Sequence, residues 1–309
     1  SHIDTVPCAG ALDGTLGVIV GLESLRILKE NGYKPHLPIE LISFSDEEGR
    51  FGGLFGSQAF CGEITPETLH KTDLDGVSLQ DAMQEHGLDP MKALDARRDP
   101  RDVNSYIELH IEQGPVLDRK GKHVGIVEDI TGLRKWAIDF RGEANHAGTT
   151  PMDMRNDAFM GLADFANEIP RVLSEDGTER SRATIGKVDL VPGFPHTIPG
   201  EVDFSLVVRD TDRGILEDLE KAFQKVLSAI ARNRNLRFEF ERESWIDPTV
   251  CDKALVERLV YQAERLGYPY EVMPSGAGHD AQFVSRLCPV AMLFVPSKDG
   301  VSHAPQEWT

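Results

Sequence analysis

The chain has 309 residues, 40% of them hydrophobic and 27% charged, and a net charge of −18 at pH 7. This length is enough to bury a sizeable core and to form two domains. The acidic balance argues against nucleic acid and anionic membranes as partners, because binding phosphate groups requires a surplus of cationic side chains. No apolar run approaches the roughly 20 residues of a membrane-spanning helix, and no signal-peptide pattern opens the sequence.

The cysteines indicate a reducing compartment. They form neither a Cys-x-x-Cys pair nor a dense framework, and they are Cys8, Cys61, Cys251 and Cys288. Disulfide scaffolds are typical of small secreted chains, so this spacing favours a cytoplasmic protein with free thiols.

The first part of the chain reads as alternating helix and strand. Residues 16–30 have helical periodicity and end at Asn31-Gly32, while residues 39–45 form an apolar run that predicts a buried strand. That strand would deliver Asp46, Glu47 and Glu48 at its carboxyl end, where open α/β sheets place their sites. Residues 63–104 are polar, with a helix predicted near 78–86, and residues 106–111 predict a second strand carrying His110.

From about residue 132 the pattern changes. Strands are predicted at 133–141, 183–191, 201–209 and 236–242, and helices at 153–173 and 213–233. The resulting β-α-β-β-α-β order matches the ferredoxin-like unit, which forms a compact domain of its own.

After Trp245 the α/β pattern returns, with a helix predicted at 252–266 and strands at 270–273 and 290–295. The fold class predicted is therefore α/β, with a discontinuous metal-binding catalytic domain over residues 1–131 and 246–309. The inserted domain occupies residues 132–245.

Five dispersed residues could hold metal ions: His2, Asp13, Glu48, His110 and His303. Imidazole and carboxylate are the ligands of zinc-type hydrolases, and five of them can bind two ions if one carboxylate bridges. Glu47, beside Glu48, could then act as a general base on an activated water.

Taken singly, these residues also have ordinary interpretations. Asp13 precedes a glycine and reads as a turn residue, and His110 reads as a core histidine with satisfied hydrogen bonds. His2 and Asp4 read as a polar loop, or as a metal ligand whose second ring nitrogen is held by a carboxylate. His303 reads as a loop histidine near the end of the sequence. Their joint occurrence, in this order and context, is what indicates a site.

Three further positions could bind a substrate. His146, in a loop before Ala147-Gly148, could donate to an oxyanion, and Arg209 could hold a carboxylate with two parallel hydrogen bonds. The turn at 275–278, which contains Gly276 and Ala277, could expose backbone amides to an anion. The ordinary interpretations are a surface histidine, a surface arginine and a plain glycine turn.

Seven segments, in this order, resemble the amidase branch of the M20 metallopeptidases. That branch includes N-carbamoyl-L-amino acid hydrolases, β-ureidopropionases and allantoate amidohydrolases. The segments are Ser-His-Ile-Asp-Thr-Val-Pro (1–7), Asp-Gly-Thr-Leu-Gly-Val (13–18), Asp-Glu-Glu-Gly-Arg-Phe (46–51), His-Ile-Glu-Gln-Gly-Pro (110–115), Asn-His-Ala-Gly-Thr-Thr-Pro-Met (145–152), Ser-Gly-Ala-Gly-His-Asp-Ala (275–281) and Ser-His-Ala-Pro-Gln-Glu (302–307).

The resemblance implies a zinc-peptidase-like mixed-sheet catalytic domain with an inserted ferredoxin-like lid and dimerisation domain. It implies two divalent ions per subunit, with Zn²⁺ favoured and Mn²⁺, Co²⁺ or Ni²⁺ as alternatives. Asp13 would bridge the ions, Glu47 would be the base and Asp4 would orient His2. The ligand sets implied are His2, Asp13 and His110 for one ion, and Asp13, Glu48 and His303 for the other.

The resemblance also implies a substrate and a quaternary structure. His110 favours the carbamoyl-type amidases, because the peptidase relatives tend to have an acidic residue there. His146 would act in the neighbouring subunit of a homodimer, and Arg209 would bind the carboxylate of a small substrate. This chain departs from the family at His196, which stands where an asparagine is expected thirteen residues before Arg209. Other residues expected to bind substrate are Gln113, Gly276 and Ala277.

The function expected is hydrolysis of a C–N bond in a carbamoyl or ureido group on an amino-acid-like carboxylate. Two alternatives remain open: a peptidase or N-acyl amino acid deacylase of the same family, and a non-catalytic binding protein on the same fold. Because the sequence begins inside a motif, a longer chain with segments before Ser1 and after Thr309 is also expected.

Overall fold

A computed structural model describes all residues from 1 to 309, which divide into two compact units. Unit 1 comprises Ser1–Ile130 and Val250–Thr309, and unit 2 comprises Thr131–Thr249.

The helices of unit 1 are α1 (Thr15–Glu30), α2 (Phe55–Cys61), α3 (Leu79–Glu85), α4 (Met91–Leu94), α5 (Val116–Lys120), α8 (Lys253–Leu266) and α9 (Asp280–Val284). Its strands are β1 (Tyr106–Ile111), β2 (Val124–Ile130), β10 (Tyr270–Ser275) and β11 (Val290–Val295), and the short strand β9 (Thr249–Val250) lies at the unit boundary. Short 3₁₀ turns occur at Pro66–His70, Pro100–Asp102 and Lys298–Gly300.

The main sheet of unit 1 is mixed and runs in the order β1, β11, β2, β10. β1 is parallel to β11, β11 is antiparallel to β2, and β2 is parallel to β10. The apolar run of β11 is largely buried because a central strand is covered on both faces. Register places His110 of β1 opposite Phe294 of β11, so this ligand is held by a regular, buried ladder.

Unit 2 has the β-α-β-β-α-β order predicted for it. Its elements are β3 (Gly132–Arg141), β4 (Asn145–His146), a 3₁₀ turn at Met152–Met154, α6 (Ala158–Asp176), β5 (Arg182–Val191), β6 (Thr197–Ile198), β7 (Glu201–Asp210), α7 (Arg213–Asn233) and β8 (Arg237–Ile246). The four long strands form an antiparallel sheet in the order β5, β7, β3, β8, which is the ferredoxin-like arrangement. Side chains alternate along β3 and β7, and the buried set packs against α6 and α7. The short strands β4 and β6 pair separately as a two-stranded ribbon.

The predicted strand at 39–45 is wrong. These residues make only one isolated bridge, between Phe44 and His2, and Ile39 and Leu41 are exposed. An apolar run becomes a strand only when a neighbour extends its hydrogen-bond ladder, and here the ladder stops after one pair. The backbone amide of Phe44 nevertheless donates to the carbonyl of Ser1, and this contact ties the His2 segment to the residues before Glu47.

The predicted start of the helix at residue 153 is also wrong. Residues Met152–Met154 form a 3₁₀ turn, and α6 begins at Ala158 because the Asp157 side chain caps it by accepting from the amides of Phe159 and Met160. Other predicted elements are confirmed, with α7, β1 and β11 at the predicted bounds.

The α/β fold class is thus confirmed, with a mixed sheet in unit 1 and a ferredoxin-like sheet in unit 2. No helix has both the length and the apolar character needed to cross a membrane.

Candidate metal centre

The five predicted metal ligands come together at one place in unit 1. His110 Nε2 lies 3.1 Å from Asp13 Oδ1, and His2 Nε2 lies 3.6 Å from the same oxygen. On the other side, His303 Nε2 lies 3.3 Å from Asp13 Oδ2 and 3.5 Å from Glu48 Oε1. The two oxygens of Asp13 therefore face two different sets of ligands, as a bridging carboxylate requires.

Backbone contacts fix the orientation of the two buried histidines. The Nδ1 atom of His110 is 2.9 Å from the carbonyl of Ile111, and the Nδ1 atom of His2 is 3.0 Å from the carbonyl of Asp4. Each Nδ1 therefore carries the proton that the carbonyl accepts, which leaves Nε2 with a lone pair directed at Asp13. This is the tautomer that a metal-ligating histidine uses.

The predicted role of Asp4 needs a correction in detail. Its carboxylate lies 3.8 Å from His2 Nδ1, beyond hydrogen-bond distance, and it is the backbone carbonyl of Asp4 that accepts. The carboxylate Oδ2 instead accepts from the amide of Glu48 at 3.1 Å. Asp4 thus orients His2 through its main chain and the Glu48 loop through its side chain.

The residues present fit divalent cations. His2 Nε2, Asp13 Oδ1 and Glu48 Oε1 are buried, and none has a hydrogen-bond partner, which costs free energy unless an ion or water binds them. Two ligand atoms of a tetrahedral zinc ion with bonds near 2.1 Å are about 3.4 Å apart. The separations between Asp13 and the histidines match this spacing.

The pKa values of the carboxyl groups reflect a crowded negative site. Burial, then the charge of Asp280 and the other nearby carboxylates, raises the pKa of Glu47 to about 10. Burial and the charge of Asp13 raise the pKa of Glu48 to about 7. Burial also raises the pKa of Asp13, but the neighbouring His110 and the hydrogen bond from Gln113 outweigh it and the net shift is downward. Such concentrated negative potential favours cations.

Glu47 lies beside the metal ligands and belongs to neither of the two predicted ligand sets. Its Oε2 atom is 3.5 Å from His2 Nε2, and Glu47, Glu48 and His2 form a further group of residues close enough to share an ion. The side chain is mostly buried, so a proton that it holds is shielded from bulk water.

Of the residues predicted to bind substrate, Gln113 lies at the cluster. Its Nε2 atom donates to Asp13 Oδ2 at 2.6 Å and lies 3.3 Å from His303 Nε2, and its backbone has a positive φ of 58°. Strained backbone of this kind is frequent at functional sites. In the turn after β10, the amide of Ala277 donates to Ser275 Oγ, so this amide forms a hydrogen bond within the turn. Gly276 is the residue between them.

His146 and His196 lie on the ribbon of unit 2. His146 pairs with Thr197, and the amide of Ala147 donates to the carbonyl of His196. The Nδ1 atom of His146 accepts from the amides of Gly148 and Thr149, at 3.0 and 3.1 Å. Since Nδ1 is an acceptor, the neutral ring carries its proton on Nε2 and presents an N–H donor to solvent. The His196 ring packs edge-on against Phe194.

Arg209 lies on the four-stranded sheet, near the end of β7 that is distant from the ribbon. β7 starts at Glu201, next to the ribbon, and Arg209 is eight residues further along, opposite Leu133 at the start of β3. At about 3.4 Å per residue, this separates the two ends by roughly 27 Å. Burial lowers the pKa of the Arg209 guanidinium, which stays charged near neutrality.

Several residues make contacts at the site that the sequence did not predict, although His279 and Asp280 stood out in it as either a structural or a catalytic pair. Ser302 Oγ donates to Asp13 Oδ2, and Glu307 accepts from both ligand loops. The His279 ring packs edge-on against His110, at 4.7 Å between ring centroids. The buried carboxylates of Glu108 and Asp280 lie behind the site. Only their positions within the motifs around 110, 279 and 303 gave a signal.

Gly14 provides a test of the close packing around His2. Its φ is +65°, and a Cβ atom there would lie 2.3 Å from His2 Cε1. We expect Gly14→Ala to displace the His2 ring and to lower bound metal, measured by atomic absorption after dialysis, together with an at least tenfold loss of kcat. Gly32→Ala is the matched control, because Gly32 has φ +66° with nothing within 4 Å of its Cβ position. Equal metal content in both variants would contradict the assignment of His2 as a ligand.

Comparisons with known proteins agree with this geometry. The family model described as peptidase family M20/M25/M40 matches residues 1–309. An N-carbamoyl-L-amino acid amidohydrolase of Geobacillus stearothermophilus is 40% identical over 312 residues, covering 100% of this chain and 76% of the relative. An allantoate amidohydrolase of Bacillus subtilis (strain 168) is 36% identical, covering 100% of this chain and 75% of the relative.

A solved structure of an amidase has a similar fold. A hydantoinase/carbamoylase family amidase from Burkholderia multivorans superposes with a TM-score of 0.88 at 35% identity, covering 100% of this chain and 75% of that one. With the family model matching from end to end, this chain belongs to peptidase family M20/M25/M40, in its amidase branch.

Proposed function

We propose that this protein is a metal-dependent amidohydrolase that cleaves the C–N bond of a carbamoyl or ureido group on an amino-acid-like carboxylate. The observation that carries the proposal is the cluster of five ligand side chains, Asp13 and the four around it, with Glu47 beside them and not needed as a ligand. The relatives named as N-carbamoyl-L-amino acid and allantoate amidohydrolases support the substrate class. His110 in the first ligand set is the residue type that separates this branch from the peptidases.

Two divalent cations per subunit would be held by the two groups of ligands that share Asp13, which are His2, Asp13 and His110, and Asp13, Glu48 and His303. Zn²⁺ suits the imidazole and carboxylate donors, and Mn²⁺, Co²⁺ or Ni²⁺ are accepted by similar sites, so geometry and availability decide. When bound, the cations supply Lewis acidity for the attacking water and for the oxygen that becomes negative in the transition state.

The side chains of the protein supply the proton transfers and the orientation. Burial and the negative charge of the neighbouring carboxylates raise the pKa of Glu47, and bound cations would offset that charge. The ionised Glu47 would then take a proton from the attacking water and return it to the leaving nitrogen, as a general base and then a general acid. The Nε2–H of His146, whose tautomer is set by Gly148 and Thr149, donates to the developing oxyanion. Arg209 pairs with the carboxylate of the substrate and fixes the position of the scissile bond.

The separation within unit 2 supports a homodimer. Glu201, where β7 begins next to the ribbon that carries His146, is roughly 27 Å from Arg209 along β7, which is more than a substrate of amino-acid size spans. We therefore propose that each active site takes His146 from one subunit and Arg209 from the other, with unit 2 as lid and dimerisation domain and unit 1 as catalytic domain. A cytoplasmic location, suggested by the spacing of the cysteines, belongs to the same proposal.

A substrate panel tests the proposal. The purified protein, with each divalent metal added back, is assayed on N-carbamoyl-L-amino acids, their D enantiomers, allantoate, N-acetyl amino acids and dipeptides. We expect ammonia release from ureido substrates, with kcat/KM at least 100-fold above that for dipeptides and N-acetyl amino acids. Faster cleavage of dipeptides or N-acetyl amino acids would replace this function with that of a peptidase or deacylase. No turnover of any substrate despite bound metal would favour a binding protein.

A further inference from the structure

Glu307 joins the two loops that carry Asp13 and His303. Its Oε1 atom accepts from the backbone amides of Leu12 and Asp13, at 2.9 and 3.0 Å. Its Oε2 atom accepts from Ser302 Oγ at 3.1 Å and from the amide of His303 at 3.3 Å. The side chain is 5% exposed, so water does not compete for these hydrogen bonds.

Only a carboxylate can accept from the amides of Leu12 and Asp13 at one oxygen and from the amide of His303 at the other. Each partner of Glu307 is an N–H or O–H donor, and a carboxylate has acceptor sites on both oxygens. A glutamine at position 307 would have an oxygen acceptor for only one of the two loops. Its NH₂ group would face the donors of the other loop and could not accept from them. The chemistry of the pocket therefore selects glutamate over its neutral isostere.

The loop around Gly10 closes the pocket from the other side. A Cβ atom on Gly10 would lie 2.3 Å from Glu307 Cβ and 2.5 Å from Glu307 Oε1, and the φ of Gly10 lies outside the left-handed region. An alanine at position 10 is thus compatible with the backbone, and the three atoms nearest to its Cβ all belong to Glu307. The glutamate side chain fits this place because residue 10 has no side chain.

Asp13 and His303, whose loops Glu307 joins, are both predicted ligands of the same cation. Ser302 Oγ lies 3.1 Å from Glu307 Oε2 and 3.1 Å from Asp13 Oδ2, the oxygen that faces His303 and Glu48, so its one hydroxyl proton lies between the two carboxylates. His303 is 46% exposed and has a positive φ of 55°, so few contacts other than those of Glu307 hold its loop in place. Glu307 contacts the main chain of both ligand residues and is not close enough to be a ligand itself.

We propose that Glu307 is a positioning residue that holds Asp13 and His303 at the spacing of one cation and so sets the affinity of the Asp13, Glu48 and His303 site. The inference rests on the proposed two-cation site. The first site, formed by His2, Asp13 and His110, is held mainly by β1 and by backbone carbonyls and depends less on Glu307.

Cation binding without substrate tests this role. Metal-free wild type and Glu307→Gln are titrated with Mn²⁺ and with Zn²⁺ by calorimetry, and stoichiometry is measured by equilibrium dialysis. We expect the wild type to bind two cations, and Glu307→Gln to bind one with unchanged affinity and the second about 10- to 100-fold more weakly. Two cations bound with wild-type affinity in Glu307→Gln would overturn the inference. Failure of the wild type to bind two cations would overturn the proposed two-cation site itself.

Glu112→Gln is the matched control. The buried carboxylate of Glu112 accepts from the amides of Val116 and Leu117, so this variant also breaks buried hydrogen bonds to the main chain in unit 1. Its carboxylate has no hydrogen bond to a ligand residue. We expect it to lower the melting temperature while both cation affinities stay at the wild-type value. Equal weakening of the second cation in both variants would mean that Glu307 acts only through general stability.

Gly10→Ala gives a second route to the same result and keeps the carboxylate. We expect it to displace Glu307 and to lower the affinity for the second cation by about the same factor. The double variant should bind this cation no more weakly than either single variant, because both changes remove the same hydrogen bonds of Glu307. Additive losses, or wild-type affinity in Gly10→Ala, would contradict the proposed link between the loops.

Discussion

Glu47→Gln is expected to lower kcat by about 10²- to 10⁴-fold while both cations stay bound. Glutamine keeps the size and one acceptor oxygen of Glu47 but cannot take a proton from the attacking water. The cation sets around Asp13 do not include Glu47, and its nearest contact to a ligand, His2 Nε2 at 3.5 Å, is longer than a hydrogen bond between charged groups. Single-turnover kinetics on a ureido substrate, with metal content measured on the same sample, would check both halves of this prediction.

Glu48→Gln is the informative comparison, since the two residues are adjacent and change in the same way. Glu48 Oε1 is buried without a hydrogen-bond partner and lies 3.5 Å from His303 Nε2. We expect this variant to bind the second cation more weakly and to regain activity when metal is added in excess. A loss of metal in Glu47→Gln, or recovery of its activity with excess metal, would make Glu47 a ligand in the third possible group, with His2 and Glu48.

Sequence periodicity was sufficient to predict the helices and strands whose pattern of buried residues lies within one continuous segment. The amphipathic run of α7 and the buried runs of β1 and β11 carry their pattern in a single segment, and their bounds match the prediction. The apolar run at 39–45 has the composition of a strand, but strand formation depends on a partner that is distant in sequence. The order of strands in the mixed sheet of unit 1 depends on the same distant pairings.

The metal ligands were predictable because each belongs to a short motif, and the motifs occur in a recognisable order. Glu307, Ser302 and His279 act through contacts between loops that are remote in sequence, and a sequence pattern does not show that Glu307 meets Leu12. Asp4 shows a further limit: its spacing from His2 indicated a side-chain contact, and the fold uses its carbonyl. Likewise, only the strand pairing reveals that Arg209 lies at the end of β7 distant from the ribbon that carries His146.

That separation leads to a prediction about mixed dimers. His146→Ala and Arg209→Ala are placed in separate, differently tagged subunits, and the heterodimer is isolated by two affinity steps. If each site takes His146 from one subunit and Arg209 from the other, one of the two sites keeps both residues. The heterodimer should then have about half of the wild-type kcat. Each single-variant homodimer should be at least 100-fold less active, since each of its sites lacks an oxyanion donor or a carboxylate partner.

The same two substitutions in one subunit, paired with a wild-type subunit, complete the experiment. Every site of that heterodimer draws one of the two residues from the altered subunit, so both sites are impaired and activity should fall at least 100-fold below wild type. If His146 and Arg209 of one subunit served the same site, the two heterodimers would exchange results, with activity only in the doubly substituted pair. The distance along β7 argues against that outcome, because a substrate of amino-acid size spans far less than the roughly 27 Å between the two ends of the sheet.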